Sequence, residues 1–135
     1  MTVRDSVNSP LQISELPVGN GVLGLTLCPG KHGDSLNGAP WARDLALDVA
    51  AIREWGATAV VTLLESAEFT GLQVEALPEA VVAAGMEWHH LPVRDVSVPT
   101  AAFERRWRYA GARLRQRLRA GERVLVHCRG GLGRA

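Results

Sequence analysis

An α/β fold with a mostly parallel central sheet flanked by helices is what this sequence predicts, and three observations predict it. Apolar runs of strand length alternate along the chain with stretches whose apolar residues recur at helical spacing. The last apolar run, Arg123 to His127, opens directly into a glycine-rich loop, the place where such sheets deliver reactive groups. The chain has 135 residues, 47% of them apolar, enough for one compact domain and too few for two.

Residues 1–19 read as an N-terminal arm, with Leu11 to Ile13 as a candidate edge strand. Val22 to Leu27 reads as a strand that ends at the turn signal Cys28-Pro29-Gly30. The stretch from Lys31 to Pro40, rich in Gly, Asp and Asn, reads as a loop. From Trp41 to Trp55 the residues Leu45, Val49 and Ile52 fall at helical spacing, and Gly56 provides the stop. Ala59 to Leu64 is a strand ending in Glu65, Ser66 and Glu68. Two readings fit those residues: ligand-facing groups at a strand's carboxyl end, or the start of a helix.

Leu77-Pro78-Glu79 opens a helix that stops at Gly85, and Met86 to Leu91 is a strand. His89 and His90 adjoin on opposite faces of that strand, poor geometry for one metal, so they read as packing or surface residues. Pro92 and Pro99 bracket a loop carrying Asp95, which beside Arg94 would ordinarily be a surface ion pair. A long helix then runs from the N-cap candidate Thr100 to about Ala120. Phe103, Trp107, Ala110, Leu114 and Leu118 form its core stripe. Seven arginines on its other faces read as a solvated surface, their charge cancelled elsewhere, rather than as a nucleic-acid interface.

The chemistry concentrates at the end of the chain. Five residues separate Cys128 from Arg134, and Gly130, Gly131 and Gly133 among them let the backbone turn several N–H groups toward one centre. At the rim of such an anion nest a thiol favours its thiolate. A cysteine of pKa about 8.5 falls to roughly 3.5–7.5 in a positive pocket and becomes a nucleophile. Arg134 offers a planar fork of donors that matches two phosphate oxygens. Together, Cys128 and Arg134 read as nucleophile and phosphoryl clamp.

The octapeptide His127 to Arg134, HCRGGLGR, resembles the signature of the protein tyrosine phosphatase superfamily. Its wording is similar to the dual-specificity branch and, within it, to the kinase-associated phosphatases and their bacterial relatives. The resemblance extends over most of the chain from Val22 onward. It implies phosphomonoester hydrolysis through a phosphocysteine, with Cys128, Arg134 and Asp95 catalytic. The loop residues Arg129, Gly130, Gly131, Leu132 and Gly133 would hold substrate oxygens, and His127 would support the loop or tune the cysteine. Asp95, on a loop between a strand and a long helix, would be the general acid. Pro29-Gly30-Lys31 also resembles the family, which would turn Lys31 and His32 toward substrate where composition gives only a solvated loop.

No cofactor and no metal is expected, because the cradle itself supplies positive charge. Two departures from the family pattern stand out. Ala135 occupies a position that is usually Ser or Thr, which should raise the Cys128 pKa and slow turnover. The chain also ends where the family continues into a helix aimed at the phosphate, so the expectation is a single, C-terminally truncated domain over 1–135 that lacks the C-terminal helices.

Rival readings are a rhodanese-like sulfurtransferase and a non-catalytic phosphate-binding interaction module. The expected partner is a phosphorylated protein or small phosphomonoester. A net charge of +1 argues against nucleic acid and membrane surfaces as partners. Two cysteines make no disulfide scaffold, and the N-terminus lacks a signal-peptide pattern, so a reducing cytoplasm is the expected compartment. A regulatory Cys28–Cys128 disulfide is a further expectation, since a low-pKa thiolate oxidises readily.

Overall fold

The computed structural model describes residues 2–34, 38–93 and 101–130. Its elements in chain order are β1 (Ser14–Val18), β2 (Gly21–Thr26), β3 (His32–Gly33), β4 (Trp41–Ala42), α1 (Leu45–Trp55), β5 (Ala57–Thr62), α2 (Glu68–Gly71), α3 (Leu77–Ala83), β6 (Glu87–His90), α4 (Ala101–Arg119) and β7 (Arg123–His127). The described residues form a five-stranded sheet in the order β1-β2-β7-β5-β6, parallel throughout except for β1. A mixed α/β fold with a central, mostly parallel sheet between helices is therefore what the chain adopts.

The last strand lies in the middle of the sheet. Pairing aligns Thr26 of β2 and Thr62 of β5 with His127 of β7, and Thr62 with His90 of β6. The carboxyl ends of four parallel strands thus share one edge, and Cys128 emerges from its centre. Side-chain alternation along β7 then divides the two faces. Leu125 packs beneath α1 and α3 with Val49, Ile52, Leu77 and Val81. Val124, Val126 and Cys128 pack on the other face, against Ala110 and Leu114 of α4.

Local chemistry explains the ends of α1. The Asp44 side chain accepts from the Leu47 N–H at 2.9 Å, and Gly56 closes the helix at φ 105°, a left-handed conformation that costs glycine little.

Several expectations shift. The predicted helix over Trp41–Trp55 begins only at Leu45, because Trp41 and Ala42 pair with Gly33 and His32 as β4. The edge strand falls at Ser14–Val18 rather than at Leu11–Ile13, so part of the presumed arm belongs to the sheet. Farther out, Arg4 bridges to Trp41. Of the α4 stripe, Ala110 and Leu114 are buried, whereas Trp107 is 44% exposed. Thr100 and the side chain of Phe103 lie outside the described residues.

Candidate active site

His127 and Cys128 sit where the central strand ends, and the alternation of β7 sends their side chains to opposite faces of the sheet. His127 is fully buried. Its Nε2 lies 2.8 Å from Thr62 Oγ1, and its Nδ1 lies 3.1 Å from the Cys128 carbonyl oxygen. The indole N–H of Trp88 donates to the same Thr62 oxygen at 2.9 Å. An indole N–H can only donate and a carbonyl oxygen can only accept, so Thr62 Oγ1 accepts from Trp88 and His127 Nδ1 donates to Cys128 O. For a neutral ring, the remaining nitrogen Nε2 then accepts the Thr62 proton. This tautomer is assigned from the hydrogen-bond network. Trp88 to Thr62 to His127 to Cys128 is thus a relay of donors that ends on the backbone of the reactive residue.

The next carbonyls are held as well. The Leu63 N–H donates to His127 O at 3.0 Å, and the Cys28 N–H donates to Arg129 O at 3.2 Å. Lys31 Nζ adds a second bond to Arg129 O at 3.3 Å. Three successive carbonyls of the strand exit therefore point at fixed partners. Because C=O and N–H lie in opposite directions across a trans peptide, each bond also fixes where the following N–H points.

Cys128 itself is 2% exposed and packs with Ala59, Val61, Leu63 and Leu91 in the apolar layer beneath α4. The sequence reading places the sulfur at the rim of an N–H nest. The apolar side of that environment is what the described residues supply. The nest would be built by Gly131, Leu132, Gly133 and Arg134, which lie outside them, as does Asp95. Arg129 and Gly130 follow Cys128 at the sheet edge, and both are exposed.

Cys28, 0% exposed, lies in the other apolar layer, beneath α1 and α3. Burial, opposed mainly by Lys31, pushes its thiol up to about 12. Cys28 and Cys128 are both free thiols, each buried in a different apolar cluster.

Sequence reasoning missed the frame around the loop. Asp48 accepts from Gly30 N at 2.8 Å, from Arg43 Nε at 2.8 Å and Nη2 at 3.0 Å, and from Ser6 Oγ at 2.9 Å. Asp48 and Arg43 are both buried, so one ion pair ties the N-terminal segment, the Pro29-Gly30 turn and α1 together. The only signal in the sequence was an aspartate on the apolar face of an amphipathic helix. His32 Nδ1 lies 2.9 Å from Gly30 O, which folds it back on its own turn. Of the strand-end residues, Glu68 opens α2 and accepts from the Glu65 N–H at 2.9 Å, the helix-start reading. His89 pairs with Glu87, while His90 stacks on Trp88 and reaches Leu64 O at 2.6 Å. Both histidines therefore pack as expected.

Residues 37–135 match the family model described as polymorphic toxin system, DSP-PTPase phosphatase. The chain belongs to that family. Its mixed α/β fold, a central and mostly parallel sheet flanked by helices, matches dual-specificity phosphatase folds. Kinase-associated phosphatase with its catalytic-site cysteine substituted by serine has a similar structure. The TM-score is 0.78 at 24% identity, over 93% of this chain and 68% of that one. Tk-PTP in its active form gives 0.57 at 22% identity, over 83% and 60%. A putative phosphatase from Shewanella putrefaciens CN-32 gives 0.50 at 18% identity, over 90% and 62%. At these identities the likeness is one of fold, and the chain spans about two thirds or less of each neighbour. No curated protein matches it in sequence. Among the described residues, no helix is long and apolar enough to cross a membrane.

Proposed function

We propose that this DSP-PTPase family member hydrolyses phosphomonoesters through a phosphocysteine. The observation that carries the reading is the position of Cys128. It follows the central strand directly, at the shared carboxyl edge of four parallel strands, inside the stretch that matches the family. In the proposed reaction the Cys128 thiolate attacks phosphorus as the ester P–O bond breaks, and the departing oxygen takes a proton from the Asp95 carboxyl. Arg134 and the loop amides, including those of Arg129, Gly130, Gly131, Leu132 and Gly133, hold the three non-bridging oxygens. Water then attacks the phosphocysteine, the Asp95 carboxylate accepts its proton, and phosphate leaves with the thiolate restored. His127 acts through the backbone of Cys128 as a positioning residue.

Support for that last role comes from the relay of Trp88 with the buried Thr62 and His127, which ends on the Cys128 carbonyl. The reading requires no metal and no organic cofactor. Its substrates are phosphorylated proteins or small phosphomonoesters, and its compartment a reducing cytoplasm. Neither a rhodanese-like sulfurtransferase nor a non-catalytic phosphate-binding module is favoured by the family to which the chain belongs.

The test is hydrolysis of 4-nitrophenyl phosphate. Cys128→Ser should abolish turnover while leaving the melting temperature near that of the parent. Turnover that survives the substitution would remove Cys128 from the mechanism.

A further inference from the structure

We propose that the cavity beside the reactive loop binds a second anionic group, phosphate or carboxylate, on the same phosphorylated substrate, with Arg4 as its anchor. The proposal rests on the phosphatase reading above and names the class of phosphomonoester that the site prefers. The cavity has a volume of about 450 Å³, and its lining includes Arg4, Gln12, Thr26, Trp41, Arg43 and Gly130. Gly130 lies two residues beyond Cys128, so the cavity and the loop share a wall.

Its cations are not equivalent. Arg43 is committed to Asp48 and adds no net charge. Arg4 is different: its guanidinium lies 3.8 Å from the centre of the Trp41 ring, and no carboxylate lies within ion-pair distance of it among the described residues. It is also held in place. The Arg4 N–H donates to Pro40 O and Arg4 O accepts from Ala42 N, both at 2.9 Å. Nε and Nη2 both donate to Ala39 O, at 3.1 and 2.9 Å. A guanidinium has five N–H donors. Two go to Ala39, which leaves Nη1 and the rest of Nη2 for a ligand. A donor fork fixed in advance loses little conformational freedom on binding an anion, and two oxygens of a carboxylate or a phosphate fit it.

Lys31 adds a second positive group. Its ammonium lies 5.1 Å from the same Trp41 ring and bonds to the loop at Arg129 O. Burial lowers its pKa, and Arg129 and Arg4 press it further down, opposed by Cys28 and Cys128. Arg4 and Arg129 thus each lie near enough to repel Lys31, and an anion held by Arg4 would relieve its share of that repulsion. Arg4 precedes the stretch that matches the family, so this feature belongs to the N-terminal segment of this chain.

The experiment compares kcat/KM for three phosphotyrosine peptides of one sequence, in which the neighbouring residue is glutamine, glutamate or phosphoserine. The wild-type chain should prefer at least one of the two anionic peptides by about tenfold over the glutamine peptide, and which one tells carboxylate from phosphate. Arg4→Gln should bring that ratio below about two, and Arg4→Lys should keep most of it. The ratio is taken within one preparation, so a partly unfolded variant cannot mimic the result. A wild-type ratio below two, or a ratio unchanged in Arg4→Gln, overturns the subsite. If the wild-type chain fails to hydrolyse even 4-nitrophenyl phosphate, the phosphatase reading falls instead. Calorimetric titration with the same peptides then decides the subsite by whether an anionic preference exists and needs Arg4.

Discussion

Replacing Thr62 by valine removes one hydroxyl from the middle of the relay that reaches Cys128 and changes the shape of the core very little. Thr62 and His127 are both fully buried, so no water takes the place of the lost donor to His127 Nε2. A buried polar group stranded in this way costs about 1–3 kcal/mol. The Trp88 indole loses its acceptor too, at about 1 kcal/mol, the low end of that range, since its residue is only partly buried. The added methyl returns roughly 0.8 kcal/mol of apolar burial. The net loss is about 1–3 kcal/mol. With a urea slope near 2 kcal/mol/M, the unfolding midpoint should fall by about 0.5–1.5 M at unchanged slope. Thr62→Ser keeps the hydroxyl and should lose less than Thr62→Val. Turnover of 4-nitrophenyl phosphate by Thr62→Val should drop by more than the unfolded fraction explains, because the Cys128 carbonyl loses an oriented donor. A midpoint within about 0.2 M of the parent would refute the assigned network. Full turnover would refute its link to the cysteine.

Two further outcomes follow from charge. Asp48→Asn leaves the buried Arg43 without its counter-charge, which should cost about 3–5 kcal/mol and lower the melting temperature by roughly 10–20 °C, read by calorimetry. The paired change Arg43→Met with Asp48→Leu should recover much of that loss, and a single variant that melts like the parent would contradict the buried pair. Glu87 is the pH-sensitive case. Burial would raise its pKa, but hydrogen bonds from Arg113, Arg117 and His89 outweigh that and hold it at about 2, against an ordinary 4.5. A lowered carboxyl pKa stabilises the fold above pH 4.5, and the contribution is lost as pH falls toward 2. Glu87→Gln should therefore unfold at lower urea than the parent at pH 7, with the gap closing as pH falls from about 5 toward 2. A gap that stays constant with pH would mean that Glu87 acts by packing.

The alternation of strand and helix patterns placed β2, β5, α3, β6, α4 and β7 to within a few residues, because each carries its own period of two or 3.6. The pattern was silent where an element is held from outside. Trp41 and Ala42 look like the first turn of a helix, yet a partner strand eight to ten residues upstream claims their backbone. Ser14–Val18 is exposed along its whole length, so no alternation could show it, and its place comes from pairing with β2. Trp107 shares the spacing of Ala110 and Leu114 but is 44% exposed. Periodicity says which residues share a stripe, and it does not say how wide a stripe the sheet covers.

By itself the sequence determined that a cysteine follows a buried strand and opens a glycine loop closed by an arginine, since adjacent residues in one chain need no folding to be neighbours. It could not decide that this strand, the last among the described residues, lies at the centre of the sheet. Nor could it show that Thr62 and Trp88 meet His127, that Asp48 spans three segments, or that Arg4 comes to rest beside the loop. Those contacts join residues 18 to 126 positions apart. Strand order and the burial of apolar surface on two faces bring them together, and no local period records either.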